Sequence, residues 1–490
     1  MALMRLDRLL QALPAAILRG RADVEVTSLA VRHDAVLPGA LFVAIRGFAH
    51  DGHAFIPEAV RRGAAAVVVE RPLEVPGAAT VVQLPDTRLG LALLSCAYYD
   101  HPSRRLKVIG VTGTNGKGTT AYLIEALLTA AGRGCGLIGT MGVKVGGRTA
   151  ALERTTPEAP ELQRLLREMA AAGLEYVVME VASHALALHR VSGTRFVAAV
   201  FTNLTQDHLD FHRTFDDYRA AKRRLFETVE PNGVSVVNAD DPSGEEMARA
   251  SRARVVRYGV EHLAEIQAGE IELRLDGTAY TVRTPGGARR ITSRLHGRFN
   301  VYNSLAAIAV ATAEGIELDR IPAVLERFPG VPGRFEAVDE GQGFGLVVDY
   351  AHTPDGLENV LRTARDFVQG RTIVVFGAGG DRDRTKRPVM GAIAATLADL
   401  AIVTSDNPRR EEPMAIIEEI LGGITDRQKV EVEPDRRRAI ARAIELARPG
   451  DFVIIAGKGH EPYQEIRGVK HPFDDRAVAR EALRARRQAR

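Results

Sequence analysis

The sequence predicts an α/β protein of three domains built on mostly parallel sheets. Three observations predict it. Short apolar runs rich in Val and Ile recur along the whole chain, each followed by a polar or Gly-rich turn and a helical pattern. This is how strands buried on both faces read. The length, 490 residues, suits about three domains of ordinary size. Two stretches interrupt the alternation, HPSRR at 101–105 and PGVPGRFE at 329–336. They set expected segments of 1–104, 105–331 and 332–490.

Leu6, Leu9, Leu10 and Leu13 recur at helical spacing and predict a short amphipathic helix. Asp7, Arg8 and Gln11 interrupt that apolar run too soon for a signal peptide. ALFVAI (40–45), AAAVVVE (64–70) and ATVVQL (79–84) read as strands, with helices near 56–63 and 88–99. In the second segment the strands are KVIGVTG, YVVMEV (176–181), AAVFTNL (198–204) and VSVVNA (234–239). Between 254 and 295 the pattern changes to EIELRL and AYTVRT with a Gly-Gly turn, read as an antiparallel flank of the same domain. The third segment offers GLVVDY (345–350), TIVVFGAGG (372–380), LAIVTSD (400–406) and DFVIIAGKG (451–459). In doubly wound sheets ligands gather at the carboxyl ends of the strands, so the turns after these runs are where function is sought.

Composition narrows the class. Sixty-five basic against 62 acidic residues leave a net charge of +3, which argues against a dedicated nucleic-acid binder. No apolar run is long enough to predict a membrane span. Cys96 and Cys135 lack a CxxC partner and read as reduced, structural thiols. A cytoplasmic protein, and a monomer, are expected.

The stretch VIGVTGTNGKGTT at 108–120 carries the first chemistry. Gly113 and Gly116 let backbone N–H groups close on anionic oxygens at a helix N-terminus, and Lys117 can neutralise phosphate charge. The usual phosphate-loop spelling would place Gly at 111 and Ser or Thr at 118, but Val111 and Gly118 stand there. The hydroxyl for Mg²⁺ is therefore expected from Thr119, with Thr120 next. Such an ion wants hard oxygen ligands. YVVMEVASH brings Glu180 and His184 to a strand end, and FTNLTQDHLDFH brings Asp207, His208, Asp210 and His212. Taken alone, each histidine reads as an ordinary hydrogen-bonded residue.

GTNGKGTT, MEVASHALALHR, TNLTQDHLDFH, YRAAKRRLF, GRFNVYNSLAA, VDYAHTPD, GDRDRTKRP, SDNPRREEP and AGKGHEPYQ follow one another in order. Together they resemble the Mur ligase family of peptidoglycan synthesis, in the branch that adds the third amino acid. The resemblance implies that ATP phosphorylates the D-glutamate carboxylate of a UDP-N-acetylmuramoyl dipeptide. An amino-acid amine then displaces the phosphate. It implies a phosphate site at Gly113, Thr114, Asn115, Gly116, Lys117, Gly118 and Thr119. It implies two Mg²⁺ ions held by Thr119, Glu180, His208 and Lys222, with Lys222 carrying a CO₂-derived carbamate.

On the nucleotide side the resemblance points to Asn300 and Asn303, for which helix N-capping is an equal alternative. It also points to Arg334, Asp349 and His352, with ATP between the second and third segments. The UDP-substrate side would include Phe48, Ala49, His50, Thr155, Thr156 and Arg190. Three positions depart from the family: Ala182 in Ala-Ser-His, Val31 in Ala-Val-Arg, and Leu188 each replace a polar side chain. The acceptor pocket would use Arg382, Asp406, Asn407, Pro408, Arg409, Gly457 and Glu461. DNPR (406–409) is the family spelling for meso-diaminopimelate, whose distal carboxylate suits the two-pronged guanidinium of Arg409, while Glu461 would meet its ammonium. Lysine or ornithine remain alternative acceptors. A folylpolyglutamate synthetase-like ligase, which shares GTNGKG, and a non-catalytic ATP-binding module are the rival readings.

Overall fold

The computed structural model describes residues 3–48, 50–75, 80–205, 207–274 and 276–488, without the side chains of residues 209 and 210. The chain forms two compact units, Met1–Ala264 with Ala306–Ile316, and Glu265–Leu305 with Glu317–Arg490.

The first unit holds two sheets. The N-terminal sheet runs Ile17–Arg19, Thr80–Gln83, Ala66–Val69, Ala40–Val43, Ser28–Ala30, parallel except for its first pair. The amphipathic N-terminus is a short helix, Leu6–Leu10, which buries Leu6 and Leu9 against Leu41, Val43 and Val68. The larger sheet has the order Arg148–Ala150, Gly142–Val145, Cys135–Gly139, Tyr176–Glu180, Lys107–Thr112, Phe196–Phe201, Val229–Asn238, Arg254–Gly259. From Cys135 onward in that order the pairs are parallel. The strand of the glycine-rich loop is therefore central, between the strands ending at Glu180 and Phe201. Val108, Ile138, Val177, Met179 and Phe196 form the core beneath it. Cys96 and Cys135 are free and buried, and burial pushes both thiols up to about 12.

The second unit begins with three antiparallel strands, Ile266–Arg274, Gly277–Thr284 and Gly287–Ser293. Its other sheet runs Glu336–Ala337, Gly345–Asp349, Phe452–Ala456, Thr372–Phe376, Leu400–Val403, Val430–Val432, parallel after the first pair. Neighbouring residues of one strand face opposite cores: Val347, Val374 and Ile454 pack on one side, Val348, Val375 and Ile455 on the other. Each such side chain contributes about 1.5–3 kcal/mol on burial.

The units divide the chain differently from the expected boundaries at 104/105 and 331/332. His296 packs its ring within 5.6–5.9 Å of Phe335, Phe367 and Phe452, which ties the residues before the helix Arg298–Ala313 to the third segment. The polar sequence around HGRFN gives no hint of that aromatic cluster.

Candidate active site

The strand Lys107–Thr112 ends in Gly113, whose φ is +150° and whose Cβ, if present, would run into Thr202 Oγ1. Only glycine passes here. Gly116, φ +83°, caps the helix Lys117–Ala130. The loop between them rests on residues 202–205. Thr114 N donates to Asn203 O at 2.8 Å and Asn115 N to Asn203 Oδ1 at 3.0 Å. Thr202 Oγ1 donates to Asn115 O at 2.6 Å, and Thr205 N to Thr114 Oγ1 at 3.0 Å. TNLT is thus the floor of the loop, a role its sequence did not announce. Lys117 Nζ lies over the same loop, donating to Gly113 O at 3.0 Å and Thr114 O at 2.9 Å. Thr119 is half-buried in the first helical turn.

Glu180 closes the neighbouring strand and is buried. Its carboxylate accepts from Thr140 N at 2.8 Å and Thr140 Oγ1 at 3.2 Å. A Cβ on Gly139 would overlap this carboxylate, and one on Gly118 would touch it at 3.4 Å. Position 118 thus lies against the Glu180 carboxylate at ordinary contact distance, and the first-turn hydroxyl belongs to Thr119.

Lys222 lies on the helix Phe215–Glu227 and is 1% exposed. Its Nζ donates to Gly113 O at 2.6 Å and sits 4.5 Å from the centre of the Tyr218 ring. Burial pushes its amine well below the usual lysine range; Lys117 adds to this and Asp207 opposes it. Tyr218 also reaches Thr114 Oγ1 at 3.1 Å. His208, at φ +54°, places its ring 6.0 Å from Tyr218 and 4.7 Å from His184. His212 is buried and bonds Ser183 Oγ at 2.9 Å. The structure thus gathers Lys117, Glu180 and Lys222 around the loop, with His208 reached through Tyr218. Among the described residues no three His, Cys, Asp or Glu side chains form an ion-binding cluster. The expected donor set draws on a threonine and a modified lysine, so it would not form one. The Asp210 side chain lies outside the description.

On the same unit, Phe48 is 80% exposed and meets Phe211 edge-on at 5.7 Å. His50 is exposed, and Ala49 lies outside the described residues. Thr155 Oγ1 bonds Thr140 Oγ1 at 3.2 Å, next to Glu180. Thr156 is buried, and its hydroxyl is taken up internally: it donates to Glu180 O at 2.9 Å and accepts from Ala182 N at 3.0 Å. Arg190 pairs with Glu158 at 2.9 Å and donates to Thr156 O at 3.2 Å.

In the second unit the candidate residues stand at strand ends. Asp406 is buried; Oδ1 accepts from Asn407 N at 2.7 Å, while Oδ2 has no hydrogen-bond partner among the described residues. A Cβ on Gly457 would sit 2.5 Å from that oxygen. Asn407 donates to Glu461 Oε2 at 2.8 Å, and the carbonyl of Pro408 packs where a side chain on Gly380 would go. Arg409, at φ +51°, donates from Nη1 to Gly380 O at 2.7 Å and approaches Glu465 at 3.5 Å. Arg382 is exposed.

Within the run RREE, Arg410 and Glu412 are exposed but Glu411 is tied to a buried arginine. Arg387 is fully buried and holds Glu411 through two bonds of 2.8 Å and Glu419 through one of 2.9 Å. Glu411 in turn accepts from Asp381 N at 2.6 Å, and Arg387 holds its carboxyl down to about 2. Arg387→Met should strand these carboxylates and lower stability by about 3 kcal/mol, read as a fall in denaturation midpoint. An unchanged midpoint would show that the triad is not under load.

Three models of the family cover this chain: the Mur ligase family catalytic domain over 25–99, the middle domain over 111–311, and the glutamate ligase domain over 333–459. A UDP-N-acetylmuramoyl-L-alanyl-D-glutamate–2,6-diaminopimelate ligase of Syntrophomonas wolfei is 47% identical, covering 99% of this chain and 100% of its own. The chain belongs to the Mur ligase family. A solved structure of a ligase of the same name superposes with a TM-score of 0.75 at 32% identity, over 99% of this chain and 100% of that one. A folylpolyglutamate synthase of Mycobacterium tuberculosis matches with a TM-score of 0.60 at 19% identity, over 75% of this chain and 92% of that one, a likeness of fold alone.

The three positions where this Mur ligase departs from its family have these surroundings. Val31 is half-buried and packs against the N-terminal apolar core. Ala182 gives its N–H to Thr156, and Leu188 ends the short helix Ser183–Ala187. Asn300 and Asn303 are not N-caps, since both lie inside the helix Arg298–Ala313. Asn300 Nδ2 donates to His296 O at 2.9 Å and its Oδ1 accepts from Asn303 at 3.0 Å. Asp349 accepts from Phe335 N at 2.6 Å and Ala351 N at 2.8 Å, and burial raises its carboxyl. Arg334 lies 5.1 Å from the Tyr350 ring, and His352 is exposed with its carbonyl bonded by Lys386 Nζ at 2.8 Å. Sequence reasoning passed over Arg387 and Lys458. The signal available was a basic residue inside each quoted string, but nothing in the string tells a buried cation from a solvated one.

Proposed function

We propose that the chain joins meso-diaminopimelate to the D-glutamate carboxylate of UDP-N-acetylmuramoyl-L-alanyl-D-glutamate, converting ATP to ADP and phosphate, in peptidoglycan precursor synthesis. What carries the reading is that a ligase of that name matches over essentially the whole chain, so the phosphate loop and the DNPR pocket belong to one match. The three segments divide near 104/105 and 331/332.

A free carboxylate is a poor acyl donor. Its attack on the terminal phosphorus of ATP gives an acyl phosphate and ADP. The acceptor amine then bonds the acyl carbon, a proton leaves the nitrogen, and phosphate departs. No protein nucleophile is required; positioning and charge neutralisation are. Gly113 to Thr119 would receive the phosphates, with Lys117 leaving the loop carbonyls to meet them. Asn300, Asn303, Arg334, Asp349 and His352 are the candidate nucleotide contacts of the second unit. Phe48, His50, Thr155 and Arg190 are candidates for the UDP substrate.

The residues beside the loop suit Mg²⁺, because the Glu180 carboxylate is a hard oxygen donor that, among the described residues, bonds Thr140 and no arginine or lysine. Thr119, Glu180, His208 and Lys222 as a carbamate would hold two ions, which supply charge neutralisation at the transferred phosphate. Burial favours the neutral amine of Lys222, the form that adds CO₂: nitrogen bonds carbon and one proton is released.

For the acceptor, Arg409 would grip the distal carboxylate, with the unpartnered Asp406 oxygen and Glu461 near the ammonium. Arg409→Ala should raise KM for diaminopimelate on the order of 10²-fold, the range of a lost charge-assisted contact. KM for ATP should change little, and the preference over lysine should shrink. An unchanged KM for diaminopimelate would remove Arg409 from the pocket. The proposal as a whole is tested by ADP release. It should require the UDP-muramoyl dipeptide and the amino acid together. ATP turnover indifferent to both would favour a regulatory module, and turnover with a folate substrate would favour the rival ligase.

A further inference from the structure

Lys458 follows the strand Phe452–Ala456 between two glycines and is 0% exposed. A buried ammonium needs acceptors, and it has two on side chains: Asn407 Oδ1 at 3.2 Å and Glu461 Oε2 at 3.3 Å. The Tyr463 ring lies 5.4 Å from it. Asn407 closes the triangle by donating from Nδ2 to the same Glu461 oxygen at 2.8 Å, and its Oδ1 also accepts from Glu465 N at 2.9 Å. If the amide were turned over, its NH₂ would face the ammonium and the Glu465 N–H. Its oxygen would face a carboxylate. The ammonium therefore permits one orientation of Asn407 and occupies one oxygen of Glu461, leaving the carboxylate aimed by its other oxygen.

We infer that Lys458 is a positioning and selectivity residue for the acceptor amino acid, acting through Asn407 and Glu461. The inference rests on the acceptor reading of this pocket. It has an electrostatic consequence. Lys458 cancels the formal charge of Glu461. Without it the pocket is more negative by one charge, which penalises an acceptor whose distal end carries a carboxylate as well as an ammonium. A lone distal ammonium, as in lysine, is penalised less or gains.

The test is a double-mutant cycle on the full-length enzyme, with KM and kcat measured for diaminopimelate, lysine and ATP. Lys458→Met should raise KM for diaminopimelate ~10-fold or more and lower the diaminopimelate-to-lysine preference, with KM for ATP within about 2-fold. On a Glu461→Gln background the same change should add less than ~3-fold, because the residue it acts through is already altered. Lys458→Gln, which keeps a donor but not the charge, should fall between wild type and Lys458→Met. It serves in the same cycle if the Met variant does not fold. Multiplicative losses in the cycle, or equal rises in KM for ATP and diaminopimelate, would overturn the inference. Wild-type turnover of diaminopimelate separates the two failures. If the wild type uses it and the cycle is additive, the role of Lys458 is wrong. If the wild type does not use it, the acceptor reading is wrong first.

Discussion

Lys222→Ala should lower ligation on the order of 10²–10³-fold, the range for losing one preorganised electrostatic partner of a transferred group. The variant should recover part of its activity when a small carboxylate such as formate or acetate is added, because that anion can stand where the carbamate oxygens would be. The wild-type enzyme should lose activity in buffer stripped of CO₂ and regain it with bicarbonate. The physical basis is the site of this amine: 1% exposed, 2.6 Å from Gly113 O, and depressed in basicity by burial first and Lys117 second. An amine that stays neutral there reacts with CO₂; an ammonium would repel Mg²⁺. Lys222→Arg is the sharp control. A guanidinium forms no carbamate under these conditions, so a fully active Arg variant would falsify the carbamate role.

Lys117→Ala should cost on the order of 10²-fold or more in kcat, with the fold intact. Lys117 donates to carbonyls of its own loop, Gly113 and Thr114, and the loop is also held by Asn203 and Thr202. Removing the ammonium therefore leaves the loop pinned while the phosphate charge loses its partner. Turnover near wild type at saturating ATP would take the loop out of the mechanism. A large fall in denaturation midpoint would instead mean that the lysine is holding the loop.

The strands and their order of events along the chain were legible because buried parallel strands read as continuous apolar runs. YVVMEV and TIVVF could hardly be anything else, and the structure places them at Tyr176–Glu180 and Thr372–Phe376. The glycine-rich loop was legible for the same local reason: glycines, a lysine and a helix start stand together. What could not be read is what depends on distant contacts. Gly118 departs from the usual phosphate-loop spelling, and only the fold places Glu180 beside it. Asn300 looked like a capping residue, but the helix begins earlier and the side chain turns back to His296. Nothing in SDNPRREEP tells that its Glu411 is tied to an arginine with no exposed surface. Lys458 and Lys117 are both lysines next to glycines at strand ends; only burial tells that one is locked in a triangle and the other lies on a loop.

The mass of the product formed from ATP and the UDP-muramoyl dipeptide, with diaminopimelate, lysine and ornithine in competition, decides which acceptor the enzyme joins. The expected product is a UDP-muramoyl tripeptide carrying diaminopimelate, one amide per ADP released. A product carrying lysine or ornithine, or ADP released with the dipeptide unchanged, would contradict it.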